Sequence, residues 1–433
     1  MIPYQKKQAI GIILGFLFIL TIASIFYAVF GSIDTSGITL SAFFYYLSQF
    51  LALIGFFFIS LLIISGDLAR LFDSIFGIDK IIKTQRKFSI FTYFIVFSHP
   101  LFMILSNNSA VNYLMPRFGE LPFAIGTISL YIFAGIMLSS LLYKRVSYRM
   151  WQYLHVLSYI LFIFILYHSL NVGSHVDKLP IKILYYVLGI LFVIGIIYRT
   201  SYKLQQRKNK FVVKEVRKET NDTFTIFVEP KEPVKFNPGQ FFFLRLDGRK
   251  LHARHPFSVS NYDEKRLSFT LKDTGRFTKE ARKLKLGDEI KIEGPFGKFV
   301  IEEEESKDLV FIAGGVGIAP FMSIIKDNIN RDKKRNITLL YGSRTEKEII
   351  FKKELDSING SWFKKVYALS QENKKSSGYE YGRIDEVLLL RNVDIKNKKF
   401  YICGPQEMMK QISSALRENG VDKKDIIIEE FFW

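Results

Sequence analysis

The chain has 433 residues, of which 49% are hydrophobic and 15% are aromatic, and its formal net charge is +19. Apolar residues crowd the first 200 positions and most charged residues follow them, a distribution that excludes a purely soluble protein. The length allows two or three domains. The single cysteine, Cys403, excludes an internal disulfide and suits a soluble part in a reducing compartment.

The positive charge does not indicate a nucleic-acid partner. Many basic residues flank the hydrophobic segments, where membrane anchoring accounts for them, and the sequence contains no groove-reading motif. We therefore expect a lipid bilayer, and no nucleic acid, as the partner of these charges. The first apolar run is too long for the core of a signal peptide and lacks a clear cleavage site, so we expect it to remain as a span.

Six apolar runs are each long enough to cross a bilayer as a helix. They are residues 8–30, 43–65, 88–106, 121–143, 151–170 and 181–198. Basic loops alternate with loops that carry few positive charges. The positive-inside rule then places both termini and the soluble part in the cytoplasm, for a protein of the plasma membrane or the bacterial inner membrane.

The soluble part divides into two patterns after a basic linker at residues 200–210. Short alternating runs separated by turns predict an antiparallel β-barrel over residues 211–304. From Asp308, strand-like runs alternate with helical ones, which predicts an α/β domain with a parallel sheet over residues 305–433. The predicted fold is thus a six-helix membrane bundle (residues 1–200), then the barrel, then the α/β domain.

A glycine-rich segment follows the first strand of the predicted α/β domain. Gly314, Gly315 and Gly317 come between that strand and a helix start, where glycine lets the backbone approach a pyrophosphate. Pro320 stands where the usual motif has its third glycine. The alternative is an ordinary turn between a strand and a helix.

Other motifs surround this segment in a fixed order. They are His255-Pro256-Phe257-Ser258, then Lys272 to Thr278, then Glu293 to Gly297, and later Tyr341 to Arg344 and Cys403-Gly404-Pro405. The ordered set resembles the ferredoxin–NADP+ reductase superfamily across residues 211–433. The resemblance implies an FAD-binding barrel followed by an NAD(P)H-binding domain.

The resemblance also implies roles for individual residues. Those implied to bind FAD are His255, Pro256, Phe257, Ser258, Lys272, Gly275 and Thr278, the last two at the pyrophosphate. Those implied to bind the nicotinamide dinucleotide are Gly314, Gly315, Gly317 and Pro320, with Cys403, Gly404 and Pro405 beside the nicotinamide ring. His255 stands where many relatives carry Arg, although relatives of the ferric reductase type commonly have His.

Two further features concern the nucleotide and the flavin. Arg344 follows the second strand of the α/β domain, where a cation favours the 2′-phosphate of NADPH over NADH; a solvated surface arginine is the alternative. The chain ends in aromatic residues, and in relatives a terminal aromatic covers the flavin. Phe431 or Trp433 is therefore expected to do so here, at the end of an edge strand over residues 426–432.

The predicted spans contain three histidines, His99 in the third and His155 and His168 in the fifth. Ionisable side chains within spans are costly, and neutral imidazole is a strong ligand of haem iron. Hydrogen bonds between helices are the alternative. His175 lies in the following loop and is a weaker candidate for a ligand.

Six spans with these histidines, fused to an FAD/NADPH half, resemble the ferric reductase and NADPH oxidase family. That family typically has two histidines on each of the two helices and two b-type haems. The resemblance implies that His99 and His168 bind an outer haem and that His155 binds an inner one. Gln85 occupies the other inner ligand position, so this chain departs from the pattern there.

The predicted function is electron transfer from cytoplasmic NADPH, or NADH, through FAD and haem b to an acceptor at the outer face. Oxygen, ferric chelate and quinone all remain open as small-molecule acceptors, and the sequence requires no protein partner. The alternative is an electron-transfer subunit that delivers electrons to quinone or to a partner protein.

Overall fold

A computed structural model describes residues 4–31, 33, 38–107, 111–143, 145–208, 210–246, 251–263, 265–303, 305–372 and 376–430. The chain divides into two compact units, Met1–Leu204 and Gln205–Trp433. The helices of the first part are α1 (Tyr4–Phe30), α2 (Leu40–Asp67), α3 (Ala69–Phe76), α4 (Ile78–Asn107), α5 (Val111–Leu114), α6 (Leu121–Leu141), α7 (Tyr148–Val172) and α8 (Leu179–Lys208).

Six of the helices in the described residues are long and apolar enough to cross a membrane, which confirms the predicted bundle. They are α1, α2, α4, α6, α7 and α8. The helices extend beyond the apolar runs because the backbone of a polar turn still satisfies its own hydrogen bonds. As a result α4 begins ten positions before the predicted third span and carries both Gln85 and His99.

Local signals set several of the helix ends. The side chains of Thr39 and Ser147 cap α2 and α7 by accepting hydrogen bonds from Ala42 N and Met150 N, each at 3.2 Å. Pro100, directly after His99, lies inside α4. Proline has no N–H, so it removes one backbone hydrogen bond next to that histidine.

Helix α2 lies at the centre of the bundle, and its middle is a run of buried aromatic and aliphatic residues. It packs mainly against α4, while α6 packs against α7. Phe162 of α7 and Phe192 of α8 stack with ring centroids 3.9 Å apart. Buried aromatic packing of this kind fixes the helices that carry the histidines.

The second part begins with a closed six-stranded antiparallel barrel of strand order β1-β2-β5-β4-β3-β6. Its strands are β1 (Phe211–Lys218), β2 (Thr223–Pro230), β3 (Phe241–Leu246), β4 (Leu251–Tyr262), β5 (Leu267–Lys272) and β6 (Glu289–Phe296). A short helix, α9 (Arg276–Ala281), follows β5. The alternating pattern predicted the barrel correctly, whereas β4 is longer than its predicted strand, residues 257–260.

A six-stranded parallel sheet of order β10-β9-β8-β7-β11-β12 completes the chain. Its strands are β7 (Asp308–Gly314), β8 (Ile337–Ser343), β9 (Phe363–Leu369), β10 (Glu380–Tyr381), β11 (Lys398–Cys403) and β12 (Ile426–Glu429). Its helices are α10 (Ala319–Ile329), α11 (Lys352–Ser357), α12 (Glu386–Asn392) and α13 (Gln406–Glu418). The predicted α/β domain is therefore confirmed, although β10 and α12 are too short for a recognisable sequence pattern.

The barrel and the sheet pack directly on each other. Helix α10 lies against β4, where Lys326 Nζ donates to Asn261 Oδ1 at 2.6 Å. Gly239 N donates to Ser323 Oγ at 2.9 Å. The turn at Gly315–Ile318 also contacts β5. These contacts bring the motif after β5 and the glycine-rich segment after β7 to the same side of the soluble part.

Candidate functional site

Strand β4 and helix α9 bring the predicted flavin residues together. The ring of Phe277 on α9 lies 4.1 Å from that of His255 and 5.8 Å from that of Phe257, measured between centroids. Burial lowers the pKa of His255, so its imidazole is neutral at pH 7. The three rings form an aromatic surface on the barrel.

Two buried polar side-chain atoms of the barrel part have no hydrogen-bond partner among the described residues. They are Ser258 Oγ and Asp273 Oδ1. A buried polar atom without a partner costs free energy, so its presence indicates a missing ligand or water. These atoms lie in the two motifs that the sequence assigns to FAD. The residues present therefore fit a bound flavin dinucleotide.

The loop between β5 and α9 is shaped by Thr278. Its Oγ1 accepts hydrogen bonds from Thr274 N at 3.1 Å and Gly275 N at 3.0 Å. The same hydroxyl donates to Gly275 O at 3.0 Å. The hydroxyl of Thr278 is thus engaged within the loop, whereas the family resemblance implies that it binds the pyrophosphate.

Gly275 faces open space, because nothing lies within 4 Å of the position that a Cβ would take. A cavity of about 480 Å³ opens beside it, lined by Asp273, Gly275, Arg276, Lys279, Glu280, Arg282 and Lys283. Four of these seven residues are basic. The charge and the open glycine suit a pyrophosphate group.

The glycines after β7 have two different roles. A Cβ at Gly317 would collide with the backbone carbonyl of Cys403, and one at Gly314 would lie 2.6 Å from Pro405 Cδ. These two glycines allow the 403–405 loop to pack closely. Gly315 has φ +53° and open space beyond it, so it is the glycine that can approach a ligand.

Pro320, which replaces the third glycine of the usual motif, lies in the first turn of α10. Proline suits this position because its missing N–H has no partner within the helix. Cys403 ends β11 and is buried, and burial raises the pKa of its thiol. The thiol is therefore neutral. The structure thus places the glycine turn beside the predicted nicotinamide residues 403–405.

Arg344 follows β8 and is paired with two carboxylates. Its Nε lies 2.7 Å from Glu348 Oε2, and its Nη2 lies 3.2 Å from Asp222 Oδ2. The side chain is 48% exposed. No sequence motif pointed to Asp222, because this contact joins residues 122 positions apart.

Phe431 and Trp433, the aromatics expected to cover the flavin, lie outside the described residues. The strand expected before them is present as β12. It pairs in parallel with β11, so that Cys403 is matched with Glu429. The described part of the chain therefore ends directly after the edge strand that pairs with Cys403.

In the membrane part, two histidines direct the same ring nitrogen at a backbone carbonyl. His99 Nδ1 lies 3.0 Å from Ser48 O, and His168 Nδ1 lies 2.8 Å from Pro122 O. Because a carbonyl only accepts hydrogen bonds, Nδ1 carries the proton and Nε2 carries the lone pair. This arrangement is typical of metal-bound histidine.

Neighbouring helices position these two rings. The hydroxyl of Ser48 lies 2.9 Å from His99 Nδ1. A Cβ at Gly126 of α6 would lie 2.5 Å from His168 Cε1, so the glycine makes room for the ring. Neither Ser48 nor Gly126 could be identified from the sequence, since their relation to the histidines depends on helix packing. Within the described residues, His99 and His168 make no hydrogen bond through Nε2, and both atoms are suited to an axial haem ligand.

The expected inner ligands are arranged differently. His155 Nδ1 also faces a carbonyl, that of Trp151 at 2.9 Å, but its Nε2 lies 3.2 Å from Ser140 Oγ. Gln85 donates from Nε2 to Ser65 Oγ of α2 at 2.8 Å. His155 and Gln85 thus contact different helices, α6 and α2.

His175 lies in the loop between α7 and α8. Its Nε2 is 2.8 Å from Gln49 Oε1, and burial together with Lys178 lowers its pKa. This histidine is bound to an amide side chain. Throughout the described part of the chain, no group of three or more His, Cys, Asp or Glu is suited to a metal ion; a haem iron needs only two axial imidazoles.

Three family models match the chain. Residues 49–166 match the ferric reductase like transmembrane component, residues 210–301 the oxidoreductase FAD-binding domain, and residues 311–414 the oxidoreductase NAD-binding domain. The matches include His99 and His155, end before His168, and cover most of the soluble part.

Curated proteins similar to the chain include reductase components and subunits of other oxidoreductases. The reductase component of propane 2-monooxygenase from Rhodococcus jostii is 28% identical over 49% of this chain and 60% of that protein. A subunit of the Na(+)-translocating NADH-quinone reductase from Serratia proteamaculans is 35% identical, over 34% of this chain and 38% of the relative. The sulfhydrogenase 1 gamma subunit from Pyrococcus furiosus is 31% identical over 47% of this chain and 71% of its own length.

The chain spans about three fifths of the length of the first of these relatives. Among solved structures, a ferredoxin NADP+ reductase from Neisseria gonorrhoeae with bound FAD and NADP has 24% identity and a TM-score of 0.46, covering 52% of this chain and 99% of that one. The three matched models, in this order and on this fold, identify the architecture. The chain has the architecture of a ferric reductase-type membrane oxidoreductase: a ferric reductase like transmembrane component, followed by FAD-binding and NAD-binding oxidoreductase domains as in the ferredoxin–NADP+ reductase type.

Proposed function

We propose that this protein transfers electrons from cytoplasmic NADPH, with FAD and b-type haem as carriers, to a one-electron acceptor at the outer face of the membrane. The acceptor is oxygen, which would give superoxide, or ferric chelate. The matched domains make the chain a membrane-bound, NAD(P)H-dependent reductase that transfers electrons through a flavin. The observation that carries the haem route is the pair of imidazoles, His99 and His168, with Nδ1 bound to a carbonyl and Nε2 left for iron.

The barrel supplies the flavin site in this proposal. Ser258 Oγ offers a hydrogen bond to the ring system, and the aromatic surface of His255, Phe257 and Phe277 packs against it. Gly275 and the basic cavity hold the pyrophosphate, with Lys272 at the end of the preceding strand. When bound, FAD accepts a hydride and releases electrons one at a time.

The sheet supplies the nicotinamide site. Gly315 lets the backbone approach the pyrophosphate, and Arg344 recognises the 2′-phosphate. Gly314 and Gly317 let the 403–405 loop pack close to the glycine turn. Cys403, Gly404 and Pro405 would then lie beside the nicotinamide. The terminal aromatics, Phe431 or Trp433, exclude water from the flavin until the nicotinamide replaces them.

Two haems are proposed per chain, and their ligand sets differ. His99 and His168 would bind the outer haem through Nε2. His155 would bind the inner one as its single imidazole ligand, because Gln85 is engaged with Ser65 and an amide is a poor ligand for iron. When bound, a b-type haem accepts and passes on single electrons.

The proposed domain limits are residues 1–200 for the haem domain, 211–304 for the FAD domain and 305–433 for the NAD(P)H domain. The basic loops support a topology in which both termini and the soluble half are cytoplasmic, in the plasma membrane or the bacterial inner membrane. The soluble half would then draw on the cytoplasmic pool of NADPH.

The names of several relatives favour a second candidate function. One relative is a subunit of an NADH-quinone reductase, and another is the reductase component of a monooxygenase. In that alternative the chain delivers electrons to quinone or to a partner protein and has no small acceptor of its own.

A spectrum and a turnover assay test the proposal. The purified full-length protein should contain FAD and b-type haem, measured by extraction of each. NADPH consumption should then be compared with oxygen, ferric chelate and quinone as acceptors. Protein that binds flavin but no haem would refute the haem route. Activity with quinone alone, or inactivity with all three acceptors despite reduced haem, would favour the subunit alternative.

A further inference from the structure

Asp222 lies in the turn between β1 and β2 and contacts both halves of the soluble part. Its Oδ2 is 3.3 Å from Lys272 Nζ and 3.2 Å from Arg344 Nη2. Lys272 ends the strand before the FAD loop, and Arg344 follows β8 of the nicotinamide domain. A single carboxylate thus bridges a residue predicted for FAD and one predicted for the nucleotide.

The carboxylate of Asp222 is held firmly in place. Its Oδ1 accepts hydrogen bonds from the hydroxyls of Thr220 at 3.2 Å and Thr223 at 3.0 Å. Partial burial would raise the pKa of Asp222, but the hydrogen bonds from Thr223 and Lys272 outweigh it, and the pKa lies below its usual value. The group is therefore a fixed negative charge at neutral pH.

Arg344 is the more exposed partner of this contact. Its side chain is 48% exposed, and its second carboxylate, Glu348, lies four residues further along the same segment. Glu348 can therefore move together with Arg344. Asp222 belongs to the barrel and remains with Lys272.

The 2′-phosphate of NADPH is an anion that needs the same guanidinium. We propose that Asp222 is an internal competitor for this phosphate: it occupies Arg344 in the nucleotide-free protein and lowers the affinity for NADPH without changing that for NADH. The inference rests on the proposed role of Arg344 in binding NADPH. NADH carries a hydroxyl at this position and leaves the Asp222–Arg344 pair intact.

The size of the effect follows from the exposure of the pair. Exposed ion pairs contribute little, so replacing Asp222 by a neutral residue should tighten binding of the 2′-phosphate by about 2–5-fold. The gain should shrink at high salt, since screening weakens the interaction between exposed charges. Asn suits the test because it has the shape of Asp and can still accept from the threonine hydroxyls.

The experiment uses the full-length protein in detergent and two probes, 2′,5′-ADP and 5′-AMP, titrated by calorimetry at low salt. Asp222→Asn should lower the Kd of 2′,5′-ADP by about 2–5-fold and leave that of 5′-AMP unchanged. The matched control is Glu354→Gln. Glu354 pairs with Arg217 of the barrel at 3.4 Å, so its loss weakens the same contact between domains without touching Arg344.

Three results would overturn the proposal. The first is that Asp222→Asn binds 2′,5′-ADP with an unchanged or higher Kd. The second is that the Kd of both probes falls equally. The third is that Asp222→Asn lowers the Kd of 2′,5′-ADP by the same factor in an Arg344→Gln background. Anaerobic flavin reduction by NADPH and by NADH, measured on the same samples, tests the proposed function separately. Equal rates of flavin reduction by NADPH and NADH would refute the proposed preference for NADPH. A lower Kd of 2′,5′-ADP for Asp222→Asn would still support competition between Asp222 and the 2′-phosphate for Arg344.

Discussion

A buried network of Asp67, Tyr159 and Arg199 joins α2, α7 and α8, and its two charged partners should respond unequally to substitution. Asp67 Oδ1 accepts from Arg199 Nη1 and from Tyr159 OH, each at 2.7 Å. Within the described residues its Oδ2 has no partner. The side chain of Asp67 is 3% exposed, whereas that of Arg199 is 42% exposed.

Arg199→Met leaves a carboxylate in the interior without a counter-charge, and breaking a buried pair in this way costs about 3–5 kcal/mol. Asp67→Asn leaves a guanidinium that directly follows the predicted sixth span and can extend to the membrane interface along its flexible stem, so its cost should be about 1–2 kcal/mol. Tyr159→Phe removes one neutral donor and should cost about 1 kcal/mol. The double variant Asp67→Asn/Arg199→Met should be more stable than Arg199→Met alone, because no charge is then left unpaired.

Thermal unfolding in detergent, followed by size-exclusion chromatography of the heated samples, measures these differences. By the scaling for domains of about 150–250 residues, Arg199→Met should lower the Tm by roughly 6–20 °C and Asp67→Asn by roughly 2–8 °C. Equal decreases in Tm for Arg199→Met and Asp67→Asn would refute the inference that an unpaired Asp67 costs more than an unpaired Arg199. Strict additivity in the double variant would show that the two side chains are not coupled.

Three further predictions concern the cofactor sites. Gly275→Val should lower the FAD content of the purified protein by about tenfold or more, since the cost of displacing a bound pyrophosphate exceeds about 1.4 kcal/mol. The control is Gly135→Val, at an open glycine of the membrane part, which should leave the FAD content unchanged. His99→Ala or His168→Ala should remove the low-spin haem spectrum, whereas His155→Ala should remove a high-spin, carbon monoxide-binding component and leave the low-spin spectrum intact. Because burial lowers the pKa of His255, the unfolded chain binds a proton that the folded chain excludes, so stability should fall as the pH drops below about 6.5. His255→Gln should lessen that loss in unfolding curves recorded between about pH 5 and pH 8.

Much of the fold could be predicted because its signals are local. A bilayer demands about twenty apolar residues per helix, and a barrel strand alternates its side chains, so both patterns are visible in short windows. The start of α4 at Ile78 could not be predicted from hydropathy, because helix formation continues through polar turns. Strand β10, with two residues, is fixed by pairing with β9 and has no pattern of its own.

The candidate site was predictable to the extent that its residues lie in compact motifs. His255 to Ser258 and Gly315 could be assigned from sequence because each motif is contiguous. Asp222 could not, since its contact with Arg344 depends on how the barrel packs on the sheet. The sequence motif predicts that Gly314 and Gly317 bind the dinucleotide. In the structure a side chain at either position would collide with residues 403–405, so glycine is needed there for close packing.

The asymmetry between the membrane histidines has a physical basis in their neighbours. Pro122 O and Ser48 O fix the Nδ1 protons of His168 and His99, so the lone pairs on Nε2 are defined before any metal binds. The Nε2 of His155 faces Ser140, and an iron ligated there must first displace a hydroxyl. A ligand that is already oriented loses less free energy on binding. The proposed outer pair, His99 and His168, should therefore bind haem more tightly than His155 alone. The same ranking follows from Gln85, because a glutamine at the second inner position leaves that site with one imidazole.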